Sequence, residues 1–236
     1  MTARIIAIDG PAGAGKRTAA RLLAARLGYV LLDTGALYRT VALAARREGI
    51  DWDDEEGVSI LARTLVDARA LRMVRHDQAA RVELRGEDVS AAIRDREISA
   101  GASRVSAFPA VREALLGVQR QIGEDGPGVV AEGRDMGTVV FPDASFKFFL
   151  TASLDVRARR RHEELLARGK AVGLAATRRE VDQRDHFDRT RAIAPLRRAF
   201  DAVLIDTSDV DLDAVVARML ATVSAASPRE PERGRS

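Results

Sequence analysis

Arg4-Ile-Ile-Ala-Ile-Asp9, followed directly by Gly10-Pro-Ala-Gly-Ala-Gly15-Lys16-Arg17-Thr18, is the stretch that decides how this chain is organised. The first six residues form a short apolar run of mostly β-branched side chains without polar alternation, the pattern of a strand covered on both faces. The glycine-rich segment nearly matches the phosphate-binding pattern G-x-x-x-x-G-K-[ST]. Small residues let successive backbone N–H groups turn onto a phosphate chain, the next helix adds its N-terminal dipole, and Lys16 reaches the outer phosphates. Apolar residues recur at helical spacing from Lys16 to Leu27, and Gly28 supplies a stop. The hydroxyl expected directly after the lysine is displaced by one place, because Arg17 precedes Thr18. The bulk of Arg17 would either crowd the loop or project outward. A tight strand-to-helix turn with an exposed lysine is the plain structural alternative.

Outward from this unit, similar apolar runs return at Tyr29 to Leu32, Val129 to Ala131, Phe146 to Leu150 and Ala202 to Asp206. Helical patterns at Leu37 to Arg47, Ala110 to Ile122, Leu154 to Arg168 and Leu212 to Val223 separate most of them. Short buried strands alternating with helices predict an α/β fold, with about five parallel strands and right-handed crossovers. Two stretches break the rhythm. Leu71 to Val74 and Arg81 to Leu84 flank a polar loop around His76 and Asp77, which predicts a hairpin inserted into the core. Arg157 to Arg191 carries eleven basic and six acidic residues, with Gly169 and Gly173 as hinge positions. That stretch reads as a solvated helix pair or as a lid closing on phosphates.

Composition narrows the function classes. The chain has 236 residues, 46% of them hydrophobic and 31% charged, enough for one domain with its own core. There is no cysteine, and the three histidines are scattered, which excludes disulfides, thiol catalysis and a multi-histidine metal cluster. A net charge of +3 is too small for a nucleic-acid footprint, although all the basic residues except Lys16, Lys147 and Lys170 are arginine. No apolar run approaches a membrane span and no signal segment precedes the first strand, so a cytoplasmic protein without membrane or nucleic-acid partners is expected. A monomer is expected because no long apolar interface stripe is present. Residues 226 to 236, with two prolines and no large apolar side chain, are expected to be disordered.

Two further motifs follow buried runs. Leu32-Asp33-Thr34-Gly35-Ala36-Leu37-Tyr38-Arg39 contains a turn whose Thr34 suits a helix cap, and it brings Thr34 and Arg39 to the ligand crevice of an open sheet. Glu132-Gly133-Arg134-Asp135-Met136-Gly137 sets an arginine and an aspartate at another strand end. A third motif, Arg184 with Asp188 and Arg191, has the spacing of one helix face. Taken alone it reads as an exposed ion-pair ladder.

These motifs, with Ala-Phe-Pro-Ala-Val-Arg-Glu-Ala-Leu-Leu at 107 to 116, the 132 to 143 segment and Arg-Asp-x-x-Asp-Arg-x-Arg-Ala-x-Ala-Pro-Leu at 184 to 196, resemble the bacterial cytidylate kinases. The matches stand in family order from residue 4 to about 223. The resemblance implies a P-loop kinase core over 1–34, 108–153 and 192–225, an enlarged lobe for the nucleoside monophosphate at about 35–107, and a mobile lid at about 154–191. It implies transfer of the γ-phosphoryl of ATP to CMP or dCMP with Mg²⁺. Arg157, Arg160 and Arg161 are lid candidates.

Carried over residue by residue, the resemblance assigns Gly10, Pro11, Ala12, Gly13, Ala14, Gly15, Lys16, Arg17 and Thr18 to ATP, and by likeness to Gly-Lys-Gly-Thr loops the Thr18 hydroxyl to Mg²⁺. Arg39, Arg134 and Arg191 join Lys16 at the phosphates. Thr34 and Tyr38 line the acceptor site. Ser103, Arg112 and Asp135 face the cytosine, and Arg184 with Asp188 the ribose. The chemistry is coherent, since a phosphate monoester is already ionised and needs positioning and charge neutralisation rather than a general base. A carboxylate facing the cytosine amino group and a guanidinium facing N3 and O2 are complementary, whereas uracil presents an acceptor to the carboxylate. The open alternatives are a kinase for UMP or AMP, and a nucleotide-binding module in which Arg17 has degraded the loop.

Overall fold

Strand β1 (Arg4–Asp9) is hydrogen-bonded to a parallel strand on each side, which is why its sequence lacks polar alternation. In the computed structural model, which describes residues 4–76, 79–124, 127–167 and 169–225, β1 leads into α1 (Lys16–Leu27), β2 (Val30–Asp33), α2 (Gly35–Arg47) and α3 (Glu55–Asp67). Then come β3 (Leu71–His76), β4 (Ala79–Leu84), the short β5 (Glu87–Asp88), α4 (Arg96–Val105) and α5 (Pro109–Glu124). The chain continues through β6 (Gly128–Glu132), β7 (Phe146–Thr151), α6 (Leu154–Ala167), α7 (Leu174–Thr190), β8 (Val203–Asp206) and α8 (Leu212–Ala225). The expected disorder of residues 226 to 236, and Asp77 in the expected hairpin loop, lie outside the described residues.

The sheet order is β3-β4-β2-β6-β1-β7-β8, with β5 added to β4. The five strands β2, β6, β1, β7 and β8 are parallel, as the alternation of buried runs and helices predicts. The β3–β4 hairpin is antiparallel and joins the core at the register pair Leu31↔Ala79, so it extends the central sheet along one edge.

Alternate residues along each central strand enter opposite layers, and both layers are apolar. Ile6, Ile8, Leu31 and Val130 pack with Leu23 of α1 and Met219 of α8 on one face. Ala7, Leu32, Val129 and Ala131 pack with Met136, Val140 and Phe141 on the other. A third cluster belongs to the inserted region, where α2, α3 and α4 meet the hairpin and α5 through Leu37, Leu65, Val82, Ile98 and Leu115. Trp52 fastens this cluster by donating its indole N–H to the Ala42 carbonyl at 2.9 Å. Gly101 is required beneath it, because a Cβ there would lie 2.4 Å from the indole ring.

Two helices were not read from the sequence. α3 and α4 are short, and each is started by an aspartate side chain, Asp54 accepting from Gly57 N and Asp95 from Glu97 N. The segment after Asp135 forms a π-turn over Met136–Val140. Asp9, at the end of β1, accepts the Met136 and Gly137 N–H groups at 2.8 Å each, and so fixes the turn that carries Asp135.

Candidate active site

The carboxyl ends of β1, β2 and β6 open on one cavity of about 820 Å³, within the size range of small-molecule sites. The phosphate loop forms one wall. Gly10 has φ +146°, and a Cβ there would lie 2.0 Å from the Leu150 carbonyl oxygen, so only glycine fits where the loop crosses β7. A Cβ on Gly13, whose φ is +76°, would lie 2.9 Å from the Cβ and carbonyl oxygen of Arg157. Lys16 is 5% exposed and donates to the Pro11 carbonyl at 2.8 Å, curled over its own loop. Gly10 and Pro11 sit beneath the wall, while residues 12 to 18 line it. Arg17 projects outward: its side chain is about half exposed, and Nε lies 3.8 Å from Asp33 Oδ2. It does not crowd the loop.

The opposite wall comes from α2, α4, α5 and the loop after β6. Thr34, Tyr38, Arg39, Ser103, Arg112, Arg134, Asp135, Arg184, Asp188 and Arg191 all line the same cavity, so the residues singled out in the sequence converge apart from the two buried loop positions. Thr34 occupies the cap position of α2 but makes no side-chain cap; its hydroxyl donates instead to the Glu132 carbonyl at 3.0 Å, tying β2 to β6. Arg39 Nη2 donates to Asp33 Oδ2 at 2.9 Å. Arg112 pairs with Asp135, both almost fully buried, donates to the Ser106 carbonyl at 3.0 Å, and stacks 5.2 Å from the centre of the Tyr38 ring. Ser103 is half-buried on α4, where its hydroxyl donates to the Ser99 carbonyl.

The face of 184, 188 and 191 is no exposed ladder. Asp188 is buried and accepts from Arg134 Nε at 2.7 Å, while Arg191 caps α7 and lies 3.9 Å from Asp188 and 4.0 Å from Asp135. The lid candidates separate as well. Arg157 is buried and bonded to the phosphate loop, Arg160 donates to the hydroxyl and carbonyl of Thr207, and Arg161 pairs with Glu164. Only Arg160 and Arg161 of the three line the cavity. Beyond Arg160, Leu150, Val210, Leu212 and Val215 make one end of the cavity apolar.

Ten cationic side chains and six carboxylates line this space, and the crowding of cations is visible in their proton affinities. Burial, and then the nearby Arg134, pull the Lys16 pKa from 10.5 down to about 7. Burial and Arg134 also lower Arg184, to about 10. Burial would raise Asp188, but Arg134 and Arg184 outweigh it and hold the carboxylate below its ordinary value. Such a set of mutually repelling cations is stabilised by a polyanion.

Three carboxylates without an assigned role end the central strands: Asp9 on β1, Asp33 on β2 and Glu132 on β6. An acidic residue closing a buried apolar run at the crevice was the signal that could have found them. Burial lifts Asp9 to about 6, and burial together with the neighbouring Asp33 raises Glu132. Among the described residues no group of three or more histidine or acidic side chains is arranged to hold a metal ion. The wall nevertheless fits Mg²⁺ carried in by phosphates, since that ion keeps several waters and asks the protein for few oxygens, and the exposed Thr18 hydroxyl stands on the loop wall.

The sequence model of the family described as Cytidylate kinase matches residues 6–225. A protein of Syntrophotalea carbinolica named Cytidylate kinase is 54% identical over 220 residues, covering 93% of this chain and 92% of its own. One of the same name from Pseudomonas syringae pv. tomato is 49% identical over 224 residues, covering 95% and 96%. Another, from Pseudomonas aeruginosa (strain UCBPP-PA14), is 51% identical over 212 residues, covering 90% and 91%. Among the described residues no helix is long and apolar enough to cross a membrane.

Proposed function

Because this chain belongs to the cytidylate kinase family, we propose that it transfers the γ-phosphoryl of ATP to CMP or dCMP, giving CDP or dCDP and ADP. The observation that carries the reading is the single cavity in which the phosphate loop faces the buried Arg112–Asp135 pair. One end can hold a triphosphate and the other can read a base.

The donor phosphates lie on the N–H groups of residues 12 to 18, with Lys16 leaving the Pro11 carbonyl to meet them. The donor base takes the apolar end beside Leu150, Val210 and Leu212. Thr18 would hold Mg²⁺ at the loop, and the ion would supply neutralisation of the charge on the transferred group. The acceptor phosphate meets Arg39, Arg134 and Arg191, whose planar forks suit phosphate oxygens. Arg39 is preset by Asp33 and Arg134 by Asp188, so little reorganisation is needed as charge develops.

Arg184 and Asp188 hold the ribose. Tyr38 and Thr34 close the acceptor wall, and Ser103 faces the cytosine. Asp135 accepts from the cytosine amino group, and Arg112 donates to N3 and O2. Before ligand arrives these two pair with each other, which keeps each from being buried alone. A lid of residues 154–191 closes over a lobe of residues 35–107 and excludes water, so that ATP is not hydrolysed. The protein acts as a cytoplasmic monomer in this reading.

Initial rates with ATP and Mg²⁺ against CMP, dCMP, UMP, AMP and GMP, compared as kcat/KM, test it. CMP and dCMP are expected to lead. Preference for UMP or AMP would overturn the base assignment and keep the reaction, and ATP binding without turnover would point to a nucleotide-binding module.

A further inference from the structure

Arg157, at the start of α6, is 4% exposed, and every polar contact it makes is internal. Its Nε donates to the Ala152 carbonyl at 2.9 Å, anchoring the guanidinium to the end of β7. Its Nη1 then does two things at once: it donates to the Ala12 carbonyl of the phosphate loop at 3.1 Å and lies 2.5 Å from Asp185 Oδ2 on α7. One nitrogen thus bridges the donor loop to the helix that carries Arg184, Asp188 and, at its end, Arg191.

The pair is poorly explained as a device for stability. Asp185 is 1% exposed, yet its Oδ1 has no hydrogen-bond partner among the described residues, and Arg189 lies 4.0 Å from its other oxygen. A buried ion pair left partly unsatisfied does not recover the desolvation of its charges. Its geometry does suit transmission. The Ala12 carbonyl and the Gly13 N–H are the two ends of one planar peptide unit, so a phosphate that orients the N–H also orients the carbonyl that Arg157 grips.

We propose that Arg157 and Asp185 are positioning residues that couple the two nucleotide subsites, so that a nucleotide on the phosphate loop strengthens binding of the acceptor nucleotide under α7, and the reverse. The coupling rests on the kinase reading above. Donor phosphate holds the Ala12–Gly13 peptide in place, Arg157 stays aligned, and Asp185 keeps α7 seated with its acceptor-binding side chains over the cavity. Linkage requires the effect to be reciprocal.

Titration calorimetry of CMP, with and without a saturating non-hydrolysable ATP analogue and Mg²⁺, reads the coupling directly. In the unsubstituted protein CMP is expected to bind at least about fivefold more tightly with the analogue present, and the analogue to gain the same factor from CMP. Asp185→Asn is expected to bring that factor close to one, with the affinity for the ATP analogue alone changed little. A merely structural pair would shift the melting temperature and leave the factor intact. Should thermal unfolding show that Asp185→Asn does not fold, Arg157→Met combined with Asp185→Leu removes both charges, a kind of replacement that buried pairs tolerate. A factor of one in the unsubstituted protein, or an unchanged factor in a folded variant, would overturn the coupling. Failure of the unsubstituted protein to bind CMP at all would instead overturn the kinase reading, and the coupling with it.

Discussion

Arg134 Nε and Asp188 Oδ2 are 2.7 Å apart, a contact that ties the loop after β6 to α7 and holds a partly buried guanidinium on the cavity wall. Burial works against the charged arginine, but Asp188 outweighs it and raises its pKa above the ordinary value. An arginine so fixed can meet developing phosphoryl charge without reorganising. Arg134→Ala is therefore expected to lower kcat by about 10³-fold, the low end of what such arginines supply in phosphoryl transfer. Asp188→Asn keeps the shape and loses the charge, and is expected to lower kcat less while raising KM for CMP. Steady-state kinetics on variants with unchanged circular dichroism check both.

The Arg112–Asp135 pair gives a selectivity prediction. Asp135→Asn puts an amide, which can donate as well as accept, where a carboxylate faces the base. The ratio of kcat/KM for CMP over UMP is expected to fall by about tenfold or more, because a site built on polar pairing rejects the wrong partner through unpaired buried groups. Arg112→Ala is expected to lower the same ratio and also to weaken Tyr38 packing, since the guanidinium stacks on that ring. A competition assay with both acceptors present measures the ratio directly, and an unchanged ratio would remove Asp135 from base reading.

Arg17 is the departure from the phosphate-loop pattern, and its placement says that the departure is tolerated. The side chain is half exposed and reaches Asp33 only at 3.8 Å, a contact of the kind that contributes little. Arg17→Ser is expected to change stability by no more than about 0.5 kcal/mol. The effect on kcat/KM for ATP should likewise stay within about twofold. A large gain in activity would show that the loop had been crowded after all.

The parallel core was legible because a strand buried on both faces shows an unbroken apolar run, as β1, β2 and β6 do, while β7 is interrupted only by Lys147 and the edge strand β8 leaves Leu204 exposed. The phosphate loop, Thr34, Arg39, Arg134 and Asp135 were legible for the same reason, since they closely follow those runs. The roles of Ser103, Arg112, Arg184, Asp188 and Arg191, which lie on α4, α5 and α7 or at the end of α7, came only with the family resemblance. What escaped was carried by single side chains rather than by periodicity. α3 and α4 begin at Asp54 and Asp95, residues that look like any loop aspartate in a sequence. Arg157 resembled its neighbours Arg160 and Arg161, and only its burial against Ala12 and Asp185 sets it apart. The π-turn after Asp135 depends on Asp9, 127 residues earlier, a contact no local pattern encodes.

Lys16 gives the prediction that reaches furthest into the chemistry. In the folded protein without nucleotide its pKa is about 7, against 10.5 in the ordinary state, because burial and Arg134 disfavour the ammonium. Between those pH values the unfolded chain holds more of this proton than the folded one. The penalty for burying the charged lysine is therefore fully present below pH 7 and is relieved as pH rises from about 7 to 10.5. Lys16→Met should accordingly be at least as stable as the parent near pH 7 while losing phosphotransfer, and thermal unfolding beside initial rates separates the two effects. A bound triphosphate reverses the local balance, since its negative charge favours the ammonium. Binding of the ATP analogue at pH 8 should then take up part of a proton, because the phosphates are already ionised there while much of Lys16 is not. Calorimetry in buffers of different ionisation enthalpy reads that uptake as a slope. A slope in the parent that disappears in Lys16→Met would assign the proton to this side chain, and buffer-independent heats in the parent would show that Lys16 is already charged before the phosphates arrive.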